Sequence, residues 1–115
     1  DELTLAFLDI MPVNKGHALV IPKGHYETLL DIPEKELDAW IKTIQKVSGA
    51  VMKGTDAQGF NLGMNNFKVS GQLVPHAHMH IIPRFEDDGL KHWGQGNYEQ
   101  EEMKEFEKKI KEFLK

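Results

Sequence analysis

Apolar and polar positions divide the chain into a short series of elements. Residues 3–10 are mostly apolar and predict a buried strand. Residues 11–16 contain Pro12, Asn14 and Gly16 and read as a turn. Residues 17–22 predict a second strand that Pro22 ends, so the two form a hairpin. Asp31, Pro33 and Glu34 then announce a helix, with Asp31 as cap, Pro33 in the first turn and Glu34 as the capping-box acid. Leu37, Trp40, Ile41, Ile44, Val47 and Val51 follow at spacings of three and four, one apolar stripe that should end near Lys53 and Gly54. Residues 60–66 and 74–84 predict two further strands, joined by the polar, glycine-containing segment 65–72. Residues 86–97 read as loop. Residues 99–115 predict a closing helix docked through Met103, Phe106, Ile110 and Phe113, with Glu101, Glu105 and Glu107 placed to pair with following lysines.

Composition narrows the class. At 115 residues the chain is one domain's worth of protein, small enough that oligomerisation would add useful buried surface. Fourteen basic residues against eighteen acidic ones give a formal charge of −4, which argues against a nucleic-acid partner but not against a small anionic ligand. The absence of cysteine excludes a disulfide scaffold, thiolate-ligated zinc and thiol catalysis. No apolar run approaches the ~20 residues of a membrane span and no signal-peptide pattern is visible, so the expectation is a cytoplasmic protein without a membrane partner. The chain starts at Asp1, already inside a strand pattern and without a methionine, which points to a preceding segment.

Three of the six histidines fall within five residues, as His76-Ala77-His78-Met79-His80. Alternate side chains of a strand share a face, so the three imidazoles project together while Ala77, Met79 and Ile81 face the core. Packing gains nothing from three imidazoles in a row. Two chemistries fit. One is a histidine-ligated zinc site, which needs a ligand from another strand, His17 or His25, because three positions on a regular strand spread over roughly 13 Å. The other is attack by one imidazole on an electrophile, its far nitrogen tied to an acceptor and its neighbours holding charge. The turn at Ser70, Gly71 and Gln72 offers donors for an anion.

His76-Ala77-His78-Met79-His80-Ile81-Ile82 matches His-φ-His-φ-His-φ-φ, with φ apolar, and resembles the signature of the histidine triad (HIT) family of nucleotide hydrolases and transferases. Residues 6–10, residues 16–25, Asn65 and the Gly71-Gln72 pair resemble other segments of that family in order and spacing, so the resemblance covers roughly residues 3–85.

The resemblance implies an α+β fold: a single HIT domain over residues 1–115, a mainly antiparallel sheet of about five strands, one long helix, a C-terminal helix, and a variable region over 86–115. It implies a homodimer acting on a purine nucleotide, either a nucleoside phosphoramidate or a dinucleoside polyphosphate, with no cofactor and no metal in the chemistry. His78 would be the nucleophile at the α-phosphate, forming a nucleotidyl-histidine that water resolves to a nucleoside monophosphate such as AMP. His80 would hydrogen-bond the phosphate, His76 would order the site and His25 would assist. Asp9 would hold the ribose hydroxyls, which suits a carboxylate that accepts two hydrogen bonds. Phe7 and Ile10 would line the base pocket, Asn65 would lie near the phosphate or leaving group, and Gly71 and Gln72 would bring backbone close to the phosphate. His17 would have a structural role, and no part is assigned to His92 or Trp93. Two departures stand out. Leu73 replaces the serine or threonine that often follows Gly-Gln in the family, and the cysteines with which some relatives bind a structural zinc are absent, so no such site is expected. The rival readings are a HIT-like nucleotide-binding module with weak or no catalysis, and a histidine-ligated metalloenzyme.

Overall fold

The structure is a computed structural model and describes residues 1–114. Strands β1 (Thr4–Leu8), β2 (Ala18–Pro22), β3 (Gly59–Gly63) and β4 (Met79–Arg84) form one antiparallel sheet in the order β1-β2-β4-β3. Helix α1 (Glu34–Thr55) lies between β2 and β3 in sequence, and helix α2 (Glu102–Lys111) follows β4. Among the described residues the sheet has the four strands that the residue pattern predicts, against the about five that the resemblance implies. The expected strand at 74–84 pairs only from Met79, because its first part, with Pro75, forms bends that carry the chain across Tyr26.

One sheet face is covered by α1. Thr4, Ala18, Val20, Pro22, Ile81 and Pro83 are buried there, with Trp40 and Ile44 of the helix opposite. The indole Nε1–H of Trp40 donates to the Val20 carbonyl at 3.0 Å, so the largest core side chain is also hydrogen-bonded. Truncating such an aromatic costs ~3–5 kcal/mol. The predicted apolar stripe of α1 holds for Leu37, Trp40, Ile44, Val47 and Val51, whereas Ile41 is half exposed at the side of the helix that overhangs β3. The helix starts without the expected Asp31 cap. Asp31 instead completes a capping box with Thr28 around a 3₁₀ turn (Leu29–Asp31), and Pro33 precedes α1 with no side-chain cap.

Among the described residues the other sheet face is bare of helices. By register Phe7, Leu19 and His80 lie in one row across it, from edge to centre. The C-terminal helix departs from expectation. It forms, but it is not docked: α2 touches none of the other elements, and Met103, Phe106 and Ile110 stay exposed. Periodicity established the helix and its apolar side, yet could not supply a surface within the chain for that side to cover.

Candidate active site

Alternation carries the triad as the sequence predicts. Ala77 and Ile81 are fully buried toward α1, so His76, His78 and His80 turn the other way. Only His80 belongs to a paired strand. His76 and His78 sit in the lead-in to β4, which is held by the amide of Ala77 donating to the Tyr26 carbonyl at 2.7 Å. The irregular lead-in gathers the rings: the His78 and His80 centroids are 5.0 Å apart. His25 stands at the opposite end, its ring 5.3 Å from that of His76.

Backbone groups determine which nitrogen of each ring holds the proton. Nδ1 of His78 lies 2.7 Å from the His76 carbonyl, an obligate acceptor, so Nδ1 is protonated and Nε2 keeps its lone pair. Nε2 of His76 donates in the same way to the Pro22 carbonyl at 3.0 Å. On the other side, the amide of Val13 donates to Nδ1 of His17 at 3.1 Å, which puts the His17 proton on Nε2. That proton is donated to Nδ1 of His80 at 2.8 Å, and His80 in turn carries its own on Nε2. Two obligate backbone partners thus leave the cluster with a bare nitrogen at His78 and an N–H at His80. Burial pushes the pKa of His17 down against the opposing charge of Asp9. Burial, followed by the neighbouring His78 and His17, pushes His80 down as well, again opposed by Asp9. Both rings are therefore neutral at neutral pH, as this pattern requires.

The same atoms test the metal reading. Ligand atoms of Asp9, His17 and His80 lie within 4.8 Å of one another. For His17 to ligate through Nε2, its proton would have to move to Nδ1, where the Val13 N–H already points. The donor set does not fit a divalent ion, and no chemical step is derived through one.

The remaining predicted residues are placed unevenly. The Asp9 Oδ1 accepts the Met11 amide at 2.8 Å, while Oδ2, at 3.8 Å from His17 Nε2, is too far for a hydrogen bond and keeps its acceptor capacity. Phe7 shares the His80 face and is half exposed; Ile10 is 95% exposed and lies outside the wall of the cleft beside His17 and His80. Asn65 joins His17 and His80 around a cleft of about 440 Å³ whose outer wall includes Arg84, His92 and Trp93. Gly71, at φ +106°, lies so near the Asn65 amide that a Cβ would come within 3.1 Å of Nδ2. Gln72 is buried, and its side chain spans the loop: Oε1 accepts the Phe67 amide at 2.8 Å and Nε2 donates to the Glu27 carbonyl at 2.6 Å. The amides of Gly71 and Gln72 donate within the turn, to Lys68 and Phe67 carbonyls. Leu73 is 89% exposed.

Sequence reasoning missed the part of His17. Gly16 delivers it at φ +98°, where a Cβ would strike the Thr55 side chain. It also missed Arg84, which grips Asp88 through Nε and Nη2 at 2.8 and 3.0 Å, Asn61 through Nη1 at 2.6 Å, and the Leu90 carbonyl at 3.1 Å. These bonds fix the loop that carries His92 and Trp93 to the cleft. Neither role has a signal in the sequence short of knowing which strands pair.

A family model described as HIT domain matches residues 1–87. A HIT-like protein of Methanocaldococcus jannaschii is 52% identical over 89 residues, 77% of this chain and 68% of that protein. An adenylylsulfatase of Arabidopsis thaliana is 42% identical over 90 residues, 78% of this chain but only 46% of that protein. Relatives from two yeasts are named adenosine 5′-monophosphoramidase, and one is named an asymmetrical bis(5′-nucleosyl)-tetraphosphatase. A crystal structure of a HIT-family member from Bacillus subtilis superposes on 100% of this chain and 84% of its own, at TM-score 0.91 and 35% identity.

Proposed function

The chain belongs to the HIT family, and from that premise we propose that it is a nucleotidyl hydrolase or transferase working through a covalent intermediate on His78. Several relatives bear hydrolase names, which supports nucleotide hydrolysis in general. The observation that carries the finer reading is the His78 ring: Nδ1 is tied to the His76 carbonyl, so Nε2 is the nitrogen with a free lone pair. Nε2 attacks the α-phosphorus of a purine nucleotide, the bond to the leaving group breaks, and a nucleotidyl-imidazole forms. Water then attacks phosphorus, the P–N bond breaks, and a nucleoside monophosphate leaves with Nε2 restored. The Nε2–H of His80 donates to a phosphate oxygen, held in that tautomer by His17. His76 orders His78 through its carbonyl and through its own bond to Pro22, and His25 assists at that end. The free Oδ2 of Asp9 accepts from the ribose hydroxyls, Phe7 and Ile10 face the base, and Asn65 faces the phosphate or leaving group. Gly71 and Gln72 shape the turn beside them. The substrate is a nucleoside phosphoramidate or a dinucleoside polyphosphate.

A homodimer is part of this reading. Among the described residues the outer edge of β3 pairs with no strand, and its Phe60 and Leu62 are exposed beside Ile41 of α1. An open edge flanked by apolar side chains is suited to a second copy.

The test is AMP release from an adenosine phosphoramidate and from a dinucleoside polyphosphate, comparing the protein with its His78→Ala variant. Release by the former and a fall of several orders of magnitude in the latter are expected. Equal rates in both would remove His78 from the chemistry. A nucleotide-binding module is the second reading, favoured by Leu73 standing exposed where a hydroxyl is common. It would be established by AMP binding without release.

A further inference from the structure

Helix α2 has an apolar side made by Met103, Phe106 and Ile110, each about half exposed or more, continued by Phe113 and Leu114. A ten-residue helix is marginal in water without tertiary contacts, yet among the described residues α2 touches no other helix or strand of its chain. The exposed arm that carries it stretches the molecule: the radius of gyration is 16.7 Å, against ~13 Å for a compact domain of this length.

The arm nonetheless has a defined place. The Bacillus subtilis crystal structure matches 100% of the chain at TM-score 0.91. Residues 86–114 make up about a quarter of the chain, so a helix pointing elsewhere would have lowered that score well below its value. A helix that sits in the same position in a relative, with no strand or other helix of its own chain to rest on among the described residues, is held from outside. A lipid surface is a poor candidate. Glu102, Glu105, Glu107 and Glu112 interleave with Lys104, Lys108, Lys109 and Lys111, leaving no cationic face. We propose that the apolar side of α2 packs on the body of a second copy of this chain, the two copies exchanging arms as a reciprocal clasp. Two such helices would add a second interface to the one at the β3 edge. They would also tether, from outside, the arm that begins at the cleft wall of His92 and Trp93. The inference rests on the homodimer reading, not on the hydrolase reading.

The experiment uses the full chain with Phe106 replaced by the photo-crosslinking p-benzoylphenylalanine, prepared once with natural nitrogen and once with ¹⁵N. The two pools are mixed, allowed to exchange, irradiated and digested, and sedimentation is measured in parallel. Cross-links from the α2 peptide to residues 1–85 should appear in mixed-isotope form, about half of the total for free exchange. Adding Met103→Asp and Ile110→Asp should abolish them. Same-chain cross-links alone, no cross-link to the body, or mixed cross-links untouched by the aspartates would each overturn the clasp. A dimer persisting with same-chain cross-links would leave the homodimer standing, whereas a monomer would remove both. AMP release by the same preparations reports on the hydrolase separately.

Discussion

His17 and His80 share one proton across 2.8 Å, and the backbone amide of Val13 decides that His17 holds it. The consequence is a defined tautomer at His80, with Nδ1 bare and Nε2 protonated. Long-range ¹H–¹⁵N correlation spectra at neutral pH should show this pattern for His80 and the opposite one, Nδ1–H, for His78. His17→Ala should remove the constraint on His80 while leaving the nucleophile in place. The expected cost is about a hundredfold in kcat with little change in KM, in the range of a lost proton-handling group. A wild-type tautomer at His80 in the variant, or an unchanged kcat, would show that His17 acts only in packing.

The same pair gives a pH dependence with a fixed sign. Burial lowers the pKa of both rings below the ordinary 6.5 of an unfolded histidine. Between 6.5 and the lower folded values, the unfolded chain binds more protons than the folded one, so stability rises with pH across that window. The contribution is complete above 6.5 and is lost as pH falls through the folded pKa values. Thermal melts between pH 7 and pH 5 should therefore show a falling Tm, and His80→Asn should flatten the fall. A variant whose Tm drops as steeply as the parent's would place the titration elsewhere.

Much of the site could be read from the order of residues, because alternation is local. Ala77 and Ile81 inward forces His76, His78 and His80 outward, whatever the rest of the chain does. The part of His17 could not be read that way. It depends on Leu19 pairing with His80, which brings position 17 diagonally alongside, and pairing is a property of the sheet. The Arg84 grip on Asp88 is local in sequence, at four residues, but its direction depends on β4 ending there. For α2 the helix was legible from its period and the partner was not, since the period says which side is apolar and nothing about what covers it. The error over Asp31 is of a smaller kind: a capping pattern was present, and it served the 3₁₀ turn begun by Thr28.

Gln72 should behave as a brace. Its buried amide satisfies the Phe67 N–H and the Glu27 carbonyl, and Phe67 is held at φ +71°, a positive-φ conformation that a phenylalanine seldom adopts. Gln72→Ala would remove the partner of both part-buried backbone groups, at a cost of about 1–3 kcal/mol for a group left unsatisfied. Urea denaturation should show the midpoint lowered at unchanged m-value. The variant should lose stability even where it still binds AMP. A midpoint within error of the parent's would mean that the loop does not need the brace.

Arg84 and Asp88 should control the outer wall of the cleft. The guanidinium makes a two-point contact with the carboxylate, and the amides of Phe85 and Leu90 donate to the same group. The Arg84 guanidinium, followed by those amides, holds the Asp88 carboxyl well below the usual carboxylate range. A depressed acid stabilises above its unfolded pKa, so this contact should be intact at neutral pH and should persist to strongly acidic pH, below the point where ordinary carboxylates protonate. Asp88→Asn keeps the size but loses the charge and one acceptor. It should loosen residues 85–93 without unfolding the sheet, because no core residue belongs to that segment. With 5-fluorotryptophan in both positions, the Trp93 resonance should sharpen in the variant while that of buried Trp40 stays where it is. Amide exchange should accelerate over 85–93 alone. If both tryptophans moved together, the contact would have to be counted as part of the core. If neither moved, the cleft wall would be held by something other than Arg84.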